Sequence, residues 1–373
     1  MKKGKNILII VTFLFYILFI LIGTIIVKDR DYSDNENRVL KQYPDASAEN
    51  IVSGQYMKDF EDYMADQIIL KDDYVKLHND MVRMSGQKFE HGIFFGKDGY
   101  IIQDYVYDEE VLGQNIKFIN QFKEEYKNVD ITMLVIPTAA YILKDKLPAN
   151  CPVDDQGQAL KFVHDNLDKD IRIADVTEEL QKAKDEYIFY KTDHHWTEYG
   201  AYLGYKCLAE KLGLKVHDRS EYSYKNAGKE FFGTLYSKAP NHFAEGDTVT
   251  IFMHDGGEYN VEYLDEGWSE NSLFHVSNLS IKDKYTVYLD GNHALIRITS
   301  NAPDKEPIIV VKDSYAHSLL PYLADNYGDI YVVDLRYYHD SVSMLMEEKE
   351  IKKVILINNI DFLTTEKYYK MFY

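Results

Sequence analysis

This chain is short of cysteine, of tryptophan and of positive charge. Two cysteines, Cys151 and Cys207, stand far apart in 373 residues. That is too few for a disulfide-built scaffold. They either pair with each other or stand as separate thiols. Lysine and arginine number 42 against 61 aspartates and glutamates, a formal net charge of -19. The deficit argues against nucleic acid as a partner. A strongly anionic polymer is an equally poor substrate unless the site itself is locally basic. Only 2 tryptophans accompany 32 tyrosines. Tyrosines build sugar-binding platforms, but a genome biased towards Lys, Ile, Tyr and Asn codons produces the same excess. No internal repeat and no low-complexity tract follows the N-terminal segment.

Charge is absent altogether from Ile7 to Val27, just after Lys2, Lys3 and Lys5. A helix of that length, at about 1.5 Å per residue, spans the hydrocarbon core of a bilayer. The basic flank keeps the N-terminus inside, so the bulk of the chain is expected outside the cytoplasm. A cleaved signal peptide is the competing reading. Its apolar region is shorter and ends in small residues, whereas this run ends Ile22-Gly-Thr-Ile-Ile-Val27 with no Ala-x-Ala. The rest of the chain is long enough for one large or two modest domains.

The segment from Asp29 to about Ser53 is polar, and Tyr43-Pro44 breaks any helix within it, so an exposed linker is expected. Apolar residues from Tyr56 to about Met84 recur at helical spacing. Gly92-Ile-Phe-Phe-Gly96-Lys-Asp-Gly99-Tyr-Ile-Ile predicts a β-hairpin turning at Lys-Asp-Gly. Helices and strands then alternate. Helices are expected over Val111–Tyr126, Ala159–Asp168, Val176–Asp185 and Thr197–Leu212. Strands are expected over Ile131–Ile136, Ile171–Ala174, Tyr187–Tyr190, Ile308–Val311, Ile330–Val333 and Val354–Ile357. Short apolar runs between helices predict a mainly parallel sheet covered on both faces. Between about Val216 and Thr299 the texture changes to alternating segments such as Thr248–Phe252, Tyr259–Tyr263 and Tyr285–Tyr288, read as a β-rich insertion.

Two motifs carry chemistry. Asp193-His194-His195-Trp196 places a carboxylate two residues from an imidazole, between an expected strand and an expected helix. Pro307-Ile-Ile-Val-Val-Lys-Asp-Ser314 reads as a buried strand, a tight turn bearing a serine, then a helix. Sites in open α/β sheets gather at the carboxyl ends of strands. A serine hydroxyl is unreactive until a base takes its proton. Ser314 is thus the candidate nucleophile, His195 its base, and Asp193 the group that orients and stabilises the imidazolium. The Ser314 N–H, at or near a helix start, is the first oxyanion donor. Each has a plainer reading as a helix cap. Asn292 and Asn358 are candidates for a second oxyanion donor, or else turn residues. Trp196 either lines the cleft or is core. Tyr315 and His317 face the cleft or their own helix. Arg336 either grips substrate or pairs with Asp334 or Asp340. Asp193, His194 and His195 are also possible metal ligands, though adjacent residues rarely ligate one ion together.

The Asp193-His194-His195-Trp196 and Lys312-Asp313-Ser314-Tyr315 segments resemble the DHHW family, an SGNH-hydrolase-like group akin to the AlgX/AlgJ-like polysaccharide O-acetyltransferases. Asn35-Glu-Asn-Arg38, Gly96-Lys-Asp-Gly99-Tyr, Val135-Ile-Pro-Thr138, Phe232-Gly-Thr-Leu235 and Gly291-Asn-His293 match as well. One departure is Lys312, where an SGNH block has glycine before Asp-Ser. The expected organisation is a transmembrane anchor over 1–28, a linker over 29–55 and an extracytoplasmic α/β domain over 56–373, SGNH-like by the resemblance, with the β-rich insertion at 216–299. The resemblance implies Ser314, His195 and Asp193 as catalytic triad; Ser314 and Asn292 stand beside them as oxyanion candidates, and Trp196, Tyr315 and Arg336 as candidate substrate contacts. It implies a polysaccharide acceptor, an acetyl group delivered by a membrane acyltransferase, and neither cofactor nor metal. The same triad with water as acceptor is an acetyl esterase. A fold that has lost its chemistry is a glycan-binding or assembly protein.

Overall fold

The computed structural model describes residues 2–372. They form two compact units, one of Met1–Gln87 with Tyr236–Ala244, the other of Lys88–Leu235 with Glu245–Tyr373.

The first unit begins with the helix Lys2–Ile26, whose stretch Gly4–Ile26 is long and apolar enough to cross a membrane. Helices Ala48–Ser53, Gln55–Gln67 and Lys71–Met84 follow. The segment expected to be a free linker is tied down. Arg38 donates to both oxygens of Asp66, at 2.5 and 2.9 Å, and Lys71 Nζ donates to Asp66 and to Glu36 at 2.9 and 2.8 Å. Burial would raise the Asp66 carboxyl, but the Arg38 and Lys71 donors and the Lys41 N–H hold it well below the usual carboxylate range. Polarity suggested solvation, yet these charges face partners on the helices that follow. The helices to Met84 therefore group with the N-terminal segment, and the unit boundary falls after Gln87 rather than near residue 55.

The second unit is built on an eight-stranded sheet. Its order is Trp268–Glu270, Tyr259–Tyr263, Leu295–Ser300, Asp329–Val333, Ile308–Lys312, Lys353–Asn359, Asp130–Ile136, Arg172–Asp175. The last five are mutually parallel and the first three antiparallel. Alternate residues of the parallel strands bury into different core clusters. Ile308, Val310, Ile355 and Ile357 join one, and Ile309, Val311, Val354 and Leu356 the other. Side chains alternate faces along a strand, so a run apolar at every position needs helices on both sides. This is the expected α/β architecture, a mainly parallel sheet covered on both faces. The hairpin Ile93–Phe95 with Ile101–Gln103 also forms, turning through Asp98 and Gly99 at positive φ.

Two expectations differ from what forms. One of them lies in the β-rich span 216–299. Three of its strands extend the main sheet on its antiparallel edge, and Tyr222–Phe231 pairs with Asp247–His254 as a two-stranded ribbon. Tyr285–Tyr288 lies in and beside a 3-10 turn, Lys284–Val287. Alternation signals a half-buried strand but not the neighbour it pairs with. Tyr187–Tyr190 is no sheet strand either. Only Phe189 pairs, in an isolated bridge to Trp196. Ile188, Phe189 and Tyr190 are buried in a loop that folds back on itself, and Tyr187 is exposed.

Candidate active site

The serine motif sits where the sheet places it. The strand Ile308–Lys312 ends at the centre of the sheet, and a 3-10 helix, Ser314–Ser318, follows. Asp313 is its cap. One carboxylate oxygen accepts from the Tyr315 N–H at 2.8 Å; the other accepts from the Asn359 N–H and side-chain amide at 2.6 and 2.9 Å. Burial pushes the Asp313 carboxyl up, against these donors. Capping therefore falls to Asp313, and the neighbouring Ser314 hydroxyl is left for another partner.

The Asp-His-His-Trp loop has no sheet strand to stand on. Remote groups hold it. Asp247, buried, accepts from the N–H groups of Lys191 and Thr192 at 2.9 and 2.8 Å, from the Thr192 hydroxyl at 2.5 Å, and from the Tyr187 hydroxyl. Asp193 Oδ2 accepts from the Thr234 N–H at 2.8 Å and its hydroxyl at 3.1 Å. Gly233 explains the close approach, because a Cβ there would lie 2.3 Å from the Asp193 side chain. Thr197 caps the helix Glu198–Leu212, which begins directly after the motif.

The two loops meet. Asp193 Oδ1 accepts from the His195 N–H at 3.0 Å and lies 2.6 Å from its Nδ1, while Nε2 of the same ring lies 2.7 Å from Ser314 Oγ. An ionised carboxylate only accepts, so the Nδ1 proton points to Asp193 and Nε2 keeps a lone pair for the serine proton. Burial would raise the Asp193 carboxyl, but His194, His195 and the Thr234 N–H hold it well below the usual range. Tyr285 stacks on the His195 ring at 3.9 Å and donates its hydroxyl to the Ser314 carbonyl at 3.0 Å. Asp193 and His195 are buried and Ser314 is half-buried. A half-buried hydroxyl facing an imidazole backed by a carboxylate is the arrangement of an activated nucleophile.

The family model for DHHW proteins matches residues 94–333. The chain belongs to the DHHW family. No curated protein matches it in sequence. Among solved structures, a DHHW family protein from Eubacterium siraeum is similar with TM-score 0.67 and 21% identity, over 76% of this chain and 95% of that one. PatB1 of Bacillus cereus, solved with a sulfonyl adduct, is similar with TM-score 0.64 and 22% identity, over 75% of this chain and 98% of that one. At such identities the likeness is one of fold.

The other candidates of this DHHW protein fall in different places. Trp196 is fully buried and donates its indole N–H to the Tyr315 carbonyl at 2.9 Å and the Ser318 hydroxyl at 3.0 Å. It braces the serine turn from beneath and is not a substrate contact. Gly204 makes room for it, since a Cβ there would lie 2.5 Å from the indole. Tyr315 is buried too, its hydroxyl donated to the His194 carbonyl. Arg336 grips Asp334 through Nε at 2.8 Å and Nη2 at 2.6 Å, so the plain ion-pair reading holds for it. Asn292 is exposed with its Oδ1 accepting from Arg336 at 3.0 Å, and Asn358 accepts from the Tyr369 hydroxyl. Asp193, His194 and His195 lie within ligand reach of one another. The four acceptor positions of Asp193 are, however, taken by protein donors.

Sequence reasoning missed Asp247, Thr234 and Tyr285. Phe232-Gly-Thr-Leu235 was a matching segment with no assigned role, and it is the segment that holds Asp193. Lys312 was noted only as a departure. Its buried ammonium donates to Asp334 at 2.7 Å and to His317 Nε2 at 2.6 Å. A lone buried cation costs several kcal/mol, and this pairing offsets that cost. Burial, with Lys312 close by, pushes the His317 imidazole well below its ordinary value, so the ring is neutral.

Proposed function

We propose that this DHHW protein is a membrane-anchored extracytoplasmic serine O-acetyltransferase acting on a cell-surface or secreted polysaccharide. The observation that carries the reading is the unbroken relay from Asp193 through His195 to Ser314, with contacts of 2.6 and 2.7 Å. Ser314 Oγ attacks the carbonyl carbon of an acetyl donor while His195 Nε2 takes its proton. The tetrahedral oxyanion faces the Ser314 N–H at the start of the 3-10 turn. The donor's leaving oxygen departs with the proton from His195, and Ser314 carries the acetyl group. A sugar hydroxyl then gives its proton to His195, attacks the acetyl carbon, and the Ser314 oxygen recovers the proton. With the anchor's lysines inside, the donor is not cytosolic acetyl-CoA directly; a membrane acyltransferase that exports acetyl groups is the implied partner.

The cavity next to the relay is small. A cavity of about 40 Å³ lies against His194 and Tyr315, walled also by Thr138 and Asp361. Pockets for enclosed small ligands are roughly 300 Å³ or more, so a glycan chain would cross an open surface. A larger cavity of about 690 Å³ beside Lys117 and Phe162 shares no residue with the relay.

The test uses full-length protein in detergent with p-nitrophenyl acetate as donor and an oligosaccharide as acceptor. Acetylated oligosaccharide, lost in Ser314→Ala, is the expected result. Free acetate alone, equally dependent on Ser314, would make the protein an esterase. Glycan binding that survives Ser314→Ala, with no labelling by a fluorophosphonate or sulfonyl fluoride, would leave only a binding role.

A further inference from the structure

A second cluster of chemistry-bearing side chains stands at one end of the ribbon made by Tyr222–Phe231 and Asp247–His254. The 3-10 turn Arg219–Glu221 leads into it, and strand register sets His254 opposite Tyr222, beside Glu221. One carboxylate oxygen of Glu221 is fixed by the turn, accepting from the Asp218 N–H at 2.8 Å. The other, Oε2, lies 3.0 Å from His217 Nδ1 and 3.8 Å from His254 Nε2. One ligand atom from each of the three residues lies within 4.8 Å of the other two. Around a tetrahedral zinc, with bonds of about 2 Å, ligand atoms stand roughly 3.3 Å apart. The His217–Glu221 pair is already slightly inside that spacing, the Glu221–His254 pair about 0.5 Å outside it, and the two imidazoles must close by at most about 1.5 Å.

The surroundings suit a cation as well as the ligands do. His217 is pinned at its backbone, its N–H donating to the Tyr205 hydroxyl at 3.1 Å and its carbonyl accepting from Tyr202 at 3.2 Å. His254 turns its other nitrogen, Nδ1, towards Asp325 Oδ1 at 3.8 Å. Asp325 is itself buried and held by the hydroxyls of Tyr222 and Tyr259. Metal-binding histidines usually give their second N–H to such a carboxylate, which fixes the tautomer and orients the ring. Two imidazoles with one carboxylate are a donor set for zinc rather than for calcium or magnesium. The present cation at Oε2 is Lys215, 3.1 Å away on a largely exposed side chain, a weak competitor free to swing into water.

We propose that His217, Glu221 and His254 form an open, three-ligand site for a divalent transition-metal ion, with zinc as the matching ion and Asp325 as the supporting carboxylate. The ion joins the start and end of the two-stranded ribbon to the segment that follows the helix Glu198–Leu212. Water takes the fourth position, because all three ligands keep one side open to solvent. This inference does not rest on the acetyl-transfer reading.

The test is zinc chloride titration of full-length protein in detergent, stripped beforehand with a chelator, with bound metal counted and thermal unfolding followed. One equivalent is expected, raising the unfolding temperature, with chelator reversing the rise. His254→Gln and Glu221→Gln should each weaken binding at least about 100-fold, and Asp325→Asn about 10- to 100-fold. Lys215→Met, at an exposed position where folding is not at stake, should tighten binding several-fold. Absence of uptake by the unaltered protein would overturn the proposal. So would uptake that persists in His254→Gln, that is lost in His195→Gln, or that is unmoved by Lys215→Met.

Discussion

The two halves of the relay reach the same point by different means. Ser314 is delivered by the sheet. Its strand has partners on both sides, and Asp313, its neighbour in the chain, clamps the turn to Asn359. Asp193 and His195 are delivered by a loop with no sheet strand, held by Asp247, Thr234 and the close approach of Gly233. One half is secured mainly by backbone hydrogen bonds within its sheet. The other depends on single side chains from segments tens of residues away. Error tolerance should differ accordingly, because a shift of about 1 Å in a reacting group costs on the order of 100-fold in rate.

The sharpest way to break this contrast is to remove one anchor from each half. Asp247→Ala leaves the N–H groups of Lys191 and Thr192 without this acceptor, while the Thr192 hydroxyl keeps the Phe231 carbonyl at 3.1 Å. At about 1–3 kcal/mol per buried unsatisfied group, a loss of about 3 kcal/mol or more is expected. A fall in kcat on the order of 100-fold should accompany it. Asp313→Asn keeps one acceptor at the serine turn but sets its NH2 against a buried N–H, and should cost about 1–3 kcal/mol, with kcat lowered far less. Thermal unfolding and the acetyl-transfer assay measure both. Equal losses in the two variants would remove the distinction.

A middle-sized effect is expected from the buried Lys312–His317 contact behind the serine turn. His317 in the folded protein sits well below its ordinary value, while in the unfolded chain it titrates near 6.5. Below that pH the unfolded chain takes up a proton that the folded one refuses, so unfolding is favoured as pH falls. The contribution is intact above about pH 6.5 and is lost progressively on acidification towards the folded value. Unfolding temperatures at pH 7.5 and 5.5 should therefore differ less in His317→Asn than in the unaltered protein. An unchanged difference would mean that the ring titrates normally and the contact is not closed.

The smallest effect is expected at Asn292. It is exposed and its Oδ1 is turned to Arg336. Loss of a true oxyanion donor costs about 100- to 1,000-fold in kcat. Asn292→Ala should lower kcat less than about tenfold by that measure. A larger fall would restore Asn292 as the second donor.

Much of this was legible in the residues, and the pattern of success follows the physics. Ile308 to Val311 and Val354 to Ile357 are apolar at every position, which admits only a strand covered on both faces. The hairpin at Lys97-Asp98-Gly99 formed because its turn chemistry is local. Tyr187–Tyr190 has the same apolar texture as a strand, and only the surrounding loops put it elsewhere. Trp196 offered either cleft or core, and its indole N–H found partners beneath the serine. Tyr285 carried no local signal at all, because stacking on an imidazole nearly a hundred residues away leaves no mark in its own neighbourhood.

By itself the sequence determined the apolar N-terminal helix, the parallel core strands, the serine turn and the Asp-His pair as candidates for the relay. Those follow from periodicity, turn chemistry and side-chain type, which act over a few residues. Only the tertiary structure decided that Nε2 of His195 reaches Ser314, that Asp247 and Thr234 hold the loop, and that His217, Glu221 and His254 converge. Those are distances between remote segments, set by the packing of a whole sheet and its helices, and no short stretch of chain encodes them alone.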